Sequence, residues 1–220
     1  MMKKVFSLLS LLLLSVAAMA QSRYCLTPAD YVAGQWTPLD SLRLEYRSNS
    51  KSVWLGGASY KPLSGDKKID KLLKKRARFI QQQDTLYINC RQLTCGGIGF
   101  GNWYALACPF ERDYVLFVAR SVRAQQQGNM ATFMFGVAGV LVAVPMQKHA
   151  FSCYVFNPGT ETVELVDKAM MERLLEGRPD LQEALEQTDA KHRYQPQTLL
   201  PILQQLGVID RLPISAGDRR

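Results

Sequence analysis

A chain of 220 residues, 200 of them after position 20, is long enough for one ordinary core or two very small ones. Its 27 lysines and arginines against 19 acidic residues give a formal charge of +8, an excess better suited to solubility or an anionic membrane or glycan surface than to nucleic-acid recognition. Five cysteines, an odd number, exclude a fully paired disulfide framework. Small buried core residues are their expected role, with one bridge among Cys90, Cys95 and Cys108 as the alternative.

The chain opens on a pattern of export. Lys3 and Lys4 form a positive n-region, Val5 to Val16 an apolar stretch, and Ala18-Met19-Ala20 a small-residue cleavage motif, so residues 1–20 read as a removable signal peptide. The apolar part falls short of the ~20 residues that span a bilayer. Lipid attachment would need a cysteine directly after the small residues, whereas Cys25 stands five positions past Ala20. Cleavage takes the 27 basic residues to 25 against 19 acidic ones, a net charge of +6. The expected location is the periplasm, the outer cell envelope or the exterior, with residues 21–220 folding as one domain.

Thr27-Pro28 supplies the cap and first-turn proline of a short helix that Gly34 stops. Ser52 to Tyr60 reads as a strand ending at the Gly56-Gly57 bend. Lys67, Lys68, Lys71, Lys74, Lys75, Arg76 and Arg78, against Asp70 alone, make a basic amphipathic stretch with Ile69, Leu72 and Leu73 on one side, a candidate surface for anionic head groups or glycans. Period-two alternation through Leu86, Ile88 and Cys90 pairs with Phe79-Ile80 across Gln82-Gln83-Asp84 as a hairpin. Ile98 to Leu106 reads as a glycine-rich strand, and Tyr114 to Val122 as a strand buried on both faces. Phe151 to Phe156 and Thr162 to Val166 flank Asn157-Pro158-Gly159-Thr160, where a type II turn would give Gly159 a positive φ. Residues 167–207 are helical: Asp167 caps a helix to Glu176, Pro179 opens a second to Gln187, and a third runs from Pro196 to Leu206 with Pro201 inside it.

Between Arg123 and Lys148 lie 24 residues without charge. Within them, segment 128–145 places Gly128, Thr132, Gly136, Gly139 and Ala143 on one stripe of a helix, where a second backbone can approach closely. Met130 to Val144 would cover only about 22 Å as a helix, less than a bilayer core of about 30 Å. The segment therefore reads first as a helix packed on the domain or on another copy of the chain, with membrane insertion and a pair of buried strands as alternatives.

Chemistry is sparse. Cys95 and His149 are the one nucleophile and base pair that a cysteine-dependent hydrolase could use, but neither sits in a family signature, so no catalytic residue is expected. The run Gly96, Gly97, Gly99 and Gly101 lacks the dinucleotide spacing, since Asn102 stands where glycine is needed, and the P-loop lysine and hydroxyl are missing. His149 and His192 fall in no metal-ligand spacing, so neither metal nor cofactor is expected.

Leu26-Thr27-Pro28-Ala29-Asp30-Tyr31, the Gly65-Asp66-Lys67 to Asn89 stretch with Asp84-Thr85-Leu86-Tyr87, the glycine-bearing apolar segment, and Tyr154-Val155-Phe156 to Leu165 leading into helices follow one another in order. In this the chain resembles the uncharacterised exported proteins, of domain-of-unknown-function status, found in Bacteroidetes-type bacteria. The resemblance implies an envelope or secreted location and brings no activity or site residues. The fold expected is α+β: a mostly antiparallel sheet of hairpins, an apolar helix inserted between strands, and a helical C-terminus. The function expected is binding or assembly at the envelope without catalysis, with membrane-surface contact or self-association through 128–145.

Overall fold

The computed structural model describes residues 22–47, 58–122 and 150–213. Helix α1 (Pro28–Val32) starts as the Thr27-Pro28 pair predicts. The Thr27 hydroxyl accepts from Asp30 N at 3.0 Å and the Asp30 carboxylate from Thr27 N at 2.9 Å. This reciprocal box satisfies two donors that a helix start leaves open. Helix α2 (Lys67–Lys75) is capped by the Asp66 carboxylate, which accepts from Lys68 N and Ile69 N, and its apolar side buries Leu73 fully. Asp167 caps α3 (Lys168–Leu174) through Met170 N, while α4 (Pro179–Glu186) and α5 (Pro196–Gln205) open on proline. Gly177 and Gly207 follow α3 and α5 at φ +82° and +72°, the left-handed conformation that stops a helix most cheaply at glycine.

The strands are β1 (Ser22–Cys25), β2 (Thr37–Leu39), β3 (Arg43–Tyr46), β4 (Tyr60–Leu63), β5 (Phe79–Gln82), β6 (Thr85–Asn89), β7 (Thr94–Cys95), β8 (Ile98–Gly99), β9 (Tyr104–Pro109), β10 (Val115–Arg120), β11 (Phe151–Asn157) and β12 (Thr162–Leu165). Ten of them join one sheet in the order β12-β11-β10-β9-β6-β5-β1-β2, with β4 attached to β9 at Tyr60–Tyr104 and carrying β3. All its pairings are antiparallel. The small β7–β8 hairpin stands apart.

Alternation explains how both faces fill. On the inner face lie Phe79, Leu86, Ile88, Val115, Phe117, Tyr154 and Phe156. On the outer face, Leu116, Cys153 and Val155 meet α3, α4 and α5, while Tyr24, Ile80, Tyr87 and Tyr104 meet α2 and the β3–β4 pair. The sheet is also strongly curled. Phe79 on β5 and Phe156 on β11 are four strand positions apart, about 19 Å on a flat sheet, yet their ring centroids are 6.1 Å apart. Arg78 and Glu161 close the same gap at 2.8 Å.

The fold is thus α+β with the antiparallel sheet dominant, and the central hairpin, the doubly buried β10 and the C-terminal helices stand where the sequence predicts them. Two expectations need correction. The strand expected over Ile98 to Leu106 is two elements, β8 and β9, because Gly101 and Trp103 both take φ +80° and turn the chain between them. In the β11–β12 turn the positive φ falls on Glu161 at +53° and not on Gly159, because the Asn157 side chain accepts from Gly159 N and Thr160 N and shapes the turn itself. Strands β1, β2 and β3 were not foreseen. Most of the strand expected over Ser52 to Tyr60 lies outside the described residues, as does the helix expected over 128–145.

Candidate anion-binding site

The most unusual backbone among the large side chains is that of Trp103, whose φ of +80° is rare for a bulky residue. Its surroundings hold it there: Cys90 N donates to Trp103 O at 2.8 Å, and Ala58 N donates to Asn102 O at 2.7 Å. Three cations gather on the indole. Lys74 Nζ lies 4.9 Å from the ring centroid, Lys61 Nζ 5.7 Å, and the Arg47 guanidinium 5.8 Å. They come from α2, from β4 and from the residue after β3. Asn89 and Tyr104 fix the end of α2 that carries Lys74: Asn89 Nδ2 donates to Leu73 O at 3.2 Å and Ala77 O at 2.8 Å, and the Tyr104 hydroxyl donates to Leu73 O at 2.8 Å.

A cation on an aromatic face is worth about 0.5–1 kcal/mol when exposed and about 2 kcal/mol when desolvated, so the indole offsets part of the repulsion among three like charges. Burial lowers the Arg47 pKa, and Glu45 acts against the shift. Arg120, buried at the end of β10, is lowered by burial and by the charge of Arg47. Neither Lys61 nor Lys74 pairs with a carboxylate among the described residues. The patch is therefore a region of positive potential, where an anion would relieve repulsion as well as gain contacts.

The seven basic residues predicted from the sequence separate in space. Lys74 joins Trp103, while Lys75 and Arg76 rim a shallow dimple together with Arg91. Lys67, Lys68 and Lys71 are exposed along α2. Arg78 is buried; it donates to Glu161 at 2.8 Å and Gln92 at 3.1 Å and lies over the Phe156 ring, fastening the β11–β12 hairpin to β5. Sequence reasoning missed Arg47, Lys61 and Trp103, which are scattered over more than fifty positions. The one available hint was an aromatic residue in a glycine-rich run.

Cys95 sits half-buried on β7, and burial raises its thiol pKa, the direction opposite to that of an activated nucleophile. His149 lies outside the described residues, as do Gly128, Thr132, Gly136, Gly139 and Ala143. All five cysteines are free, four of them buried, in keeping with a core role. Among the described residues, no three His, Cys, Asp or Glu side chains assemble as a metal site, and no helix is long and apolar enough to cross a membrane. A groove of about 460 Å³ between α5 and β3–β4 is lined by Tyr46, Tyr60, Leu106, Val118 and Leu200 among others, with no charged residue among the described lining residues. Its rim passes through Tyr46, Phe151 and Pro213, near stretches outside the described residues.

The described chain is an α+β protein whose curled antiparallel sheet carries a cationic, aromatic patch. It belongs to a family of unknown function, DUF6563, whose model matches residues 23–210 and so spans all five helices, nearly the whole sheet and Trp103. No curated protein and no solved structure matches it.

Proposed function

We propose that this is a non-catalytic binding protein of the cell envelope that holds an anionic ligand or surface at Trp103, and that it reaches the envelope by cleavage of residues 1–20. The convergence of Arg47, Lys61 and Lys74 on the indole of a residue with a strained backbone carries the reading. The positive φ of Trp103 and the like charges of Lys61 and Lys74 on one ring both disfavour this arrangement, which points to a use for it. The n-region, apolar stretch and Ala18-Met19-Ala20 motif support export.

Titration of the whole protein with tripolyphosphate at low salt tests the site. Lys74→Glu should weaken binding about tenfold or more, equivalent to about 1.4 kcal/mol, and raising the salt should weaken the parent. Repeated at about 0.15 M salt, where exposed charges are screened beyond about 8 Å, Lys168→Glu on α3 should change affinity less than about twofold, since Lys168 is exposed beside Glu172 and is not one of the cations on Trp103. Equal affinity for the parent and Lys74→Glu would remove the site. Export has its own readout: the N-terminal residue of protein recovered from the envelope or medium should be Gln21 or lie within a few positions of it, and recovery with Met1 intact would refute cleavage.

A further inference from the structure

We infer that the cavity between the β9–β10 turn, the β11–β12 hairpin and α3 binds a short zwitterionic peptide with an apolar side chain. The inference goes beyond the anion-binding reading and does not depend on it. The cavity holds about 440 Å³, inside the roughly 300–1,000 Å³ range of small-ligand sites. Phe110, Tyr114, Val155, Met170 and Leu174 give it an apolar lining, with Phe110, Val155 and Met170 buried. Four charged side chains line it as well: Glu111 and Arg112 from the turn, Glu164 from β12 and Arg173 from α3. The turn is fixed by its own backbone, since Phe110 N donates to Tyr114 O at 2.8 Å and Tyr114 N to Glu111 O at 3.2 Å. Arg112 is held there at φ +56°, a conformation uncommon for a residue other than glycine. Asn157 Nδ2 donates to the Tyr114 hydroxyl at 3.2 Å and joins the turn to β11.

Charge pairing separates this cavity from its neighbour. In the cavity of about 350 Å³ between α3 and α4, Lys168 lies 3.5 Å from Glu172, Gln182 donates to Glu186, and Arg193 donates to the carbonyls of Glu186 and Thr188. Those charges are already answered. Among the described residues, none of Glu111, Arg112, Glu164 and Arg173 makes an ion pair or a side-chain hydrogen bond, although both signs line one cavity. A lone anion would meet the two carboxylates and a lone cation the two guanidiniums, so a ligand gains from both signs only if it carries both. A peptide with free ends brings a carboxylate for the arginines, an ammonium for the glutamates and a side chain for the apolar lining. A single amino acid has the same two charges but one small body against five apolar lining residues.

Nitrogen-15 spectra of the full chain at low salt test this with trileucine, its N-acetyl and C-amide forms, and leucine. Trileucine should shift the Phe110, Arg112, Glu164 and Leu174 amides saturably. Each blocked form should bind about fivefold more weakly, the worth of partly exposed charge pairs, and leucine about tenfold more weakly for want of apolar contact. In the double variant Arg112→Gln, Arg173→Gln, trileucine should lose about fivefold while its C-amide form changes less than about twofold, which assigns the carboxylate to the arginines. Both arginines are exposed, and circular dichroism checks that the variant folds; the blocked peptides test the same charges on the parent protein. Equal affinity for the free and blocked forms overturns the zwitterion, and leucine binding as tightly as trileucine overturns the peptide. Shifts confined to other residues, or none with trileucine, overturn the site.

Discussion

Phe117→Ala should lower the unfolding free energy by about 3–5 kcal/mol. Phe117 is fully buried on the inner face of β10, stacked on Tyr154 at 5.5 Å and edge-on to Phe100 at 5.4 Å, while Phe100 and Tyr154 also meet at 4.7 Å. Removing one ring takes away the shared partner of the other two. The site has little freedom to collapse, because β10 is hydrogen-bonded to β9 on one side and β11 on the other, and the Tyr154 hydroxyl accepts from Val122 N at 3.0 Å. Since whole domains are stable by about 5–15 kcal/mol, the variant should lie near the limit of folding. Urea unfolding reads the difference. Val163→Ala, at a half-buried position on β12, should cost about 1 kcal/mol or less. A Phe117→Ala loss no larger than that would show that the inner face is not the main core.

Alkaline pH should destabilise the fold steeply. Burial is the leading cause that pushes the thiols of Cys25, Cys90 and Cys108 from an ordinary value near 9 up to about 12, and Cys153 is raised as well. Desolvation also raises the Tyr31 and Tyr154 hydroxyls to about 12. A folded chain that keeps these protons where the unfolded chain releases them is penalised as pH rises. The thiol contribution is therefore fully present below about pH 9 and is lost between 9 and 12. By pH 10 each such thiol removes roughly 1 kcal/mol, a large combined fraction of a marginal stability. Urea midpoints under reductant should be flat from pH 7 to about 8.5 and fall sharply beyond it. A midpoint unchanged at pH 10.5 would mean that these thiols are accessible to water in the folded protein.

Local chemistry decided which parts of the fold were legible in the sequence. Thr27-Pro28, Asp167 and Pro179 mark helix starts through side chains a few residues away, and the alternation through Leu86 and Ile88 marks a strand through its own period. Strands β1, β2 and β3 are three or four residues long and take their pairing from distant partners, such as Cys25 with Phe79, so no local period reveals them. The break at Trp103 was hidden for the same reason. Its positive φ is held by Cys90 and the Ala58–Asn102 hydrogen bond, contacts that exist only after the sheet has formed. The basic run was visible as composition, but its division was not: one helical turn separates a lysine on an indole from lysines in water, and Arg78 is drawn into a clasp with Glu161, 83 positions away.

The indole N–H resonances give the most direct test of anion binding at Trp103. The protein contains three tryptophans, Trp36, Trp54 and Trp103, and Trp36 carries a lone arginine, Arg23, at 4.7 Å. Titrating the full chain, labelled with nitrogen-15, with tripolyphosphate at low salt should shift the Trp103 indole together with the Lys61 and Lys74 amides, saturably, while the Trp36 indole and the amides of α3 and α4 stay in place. In Lys74→Glu the Trp103 shifts should need about tenfold or more tripolyphosphate to reach the same extent, while the Trp36 indole and the amides of α3 and α4 again stay in place. Saturable shifts confined to other residues, or a Trp103 indole that does not move under any added anion, would contradict the assignment of the site.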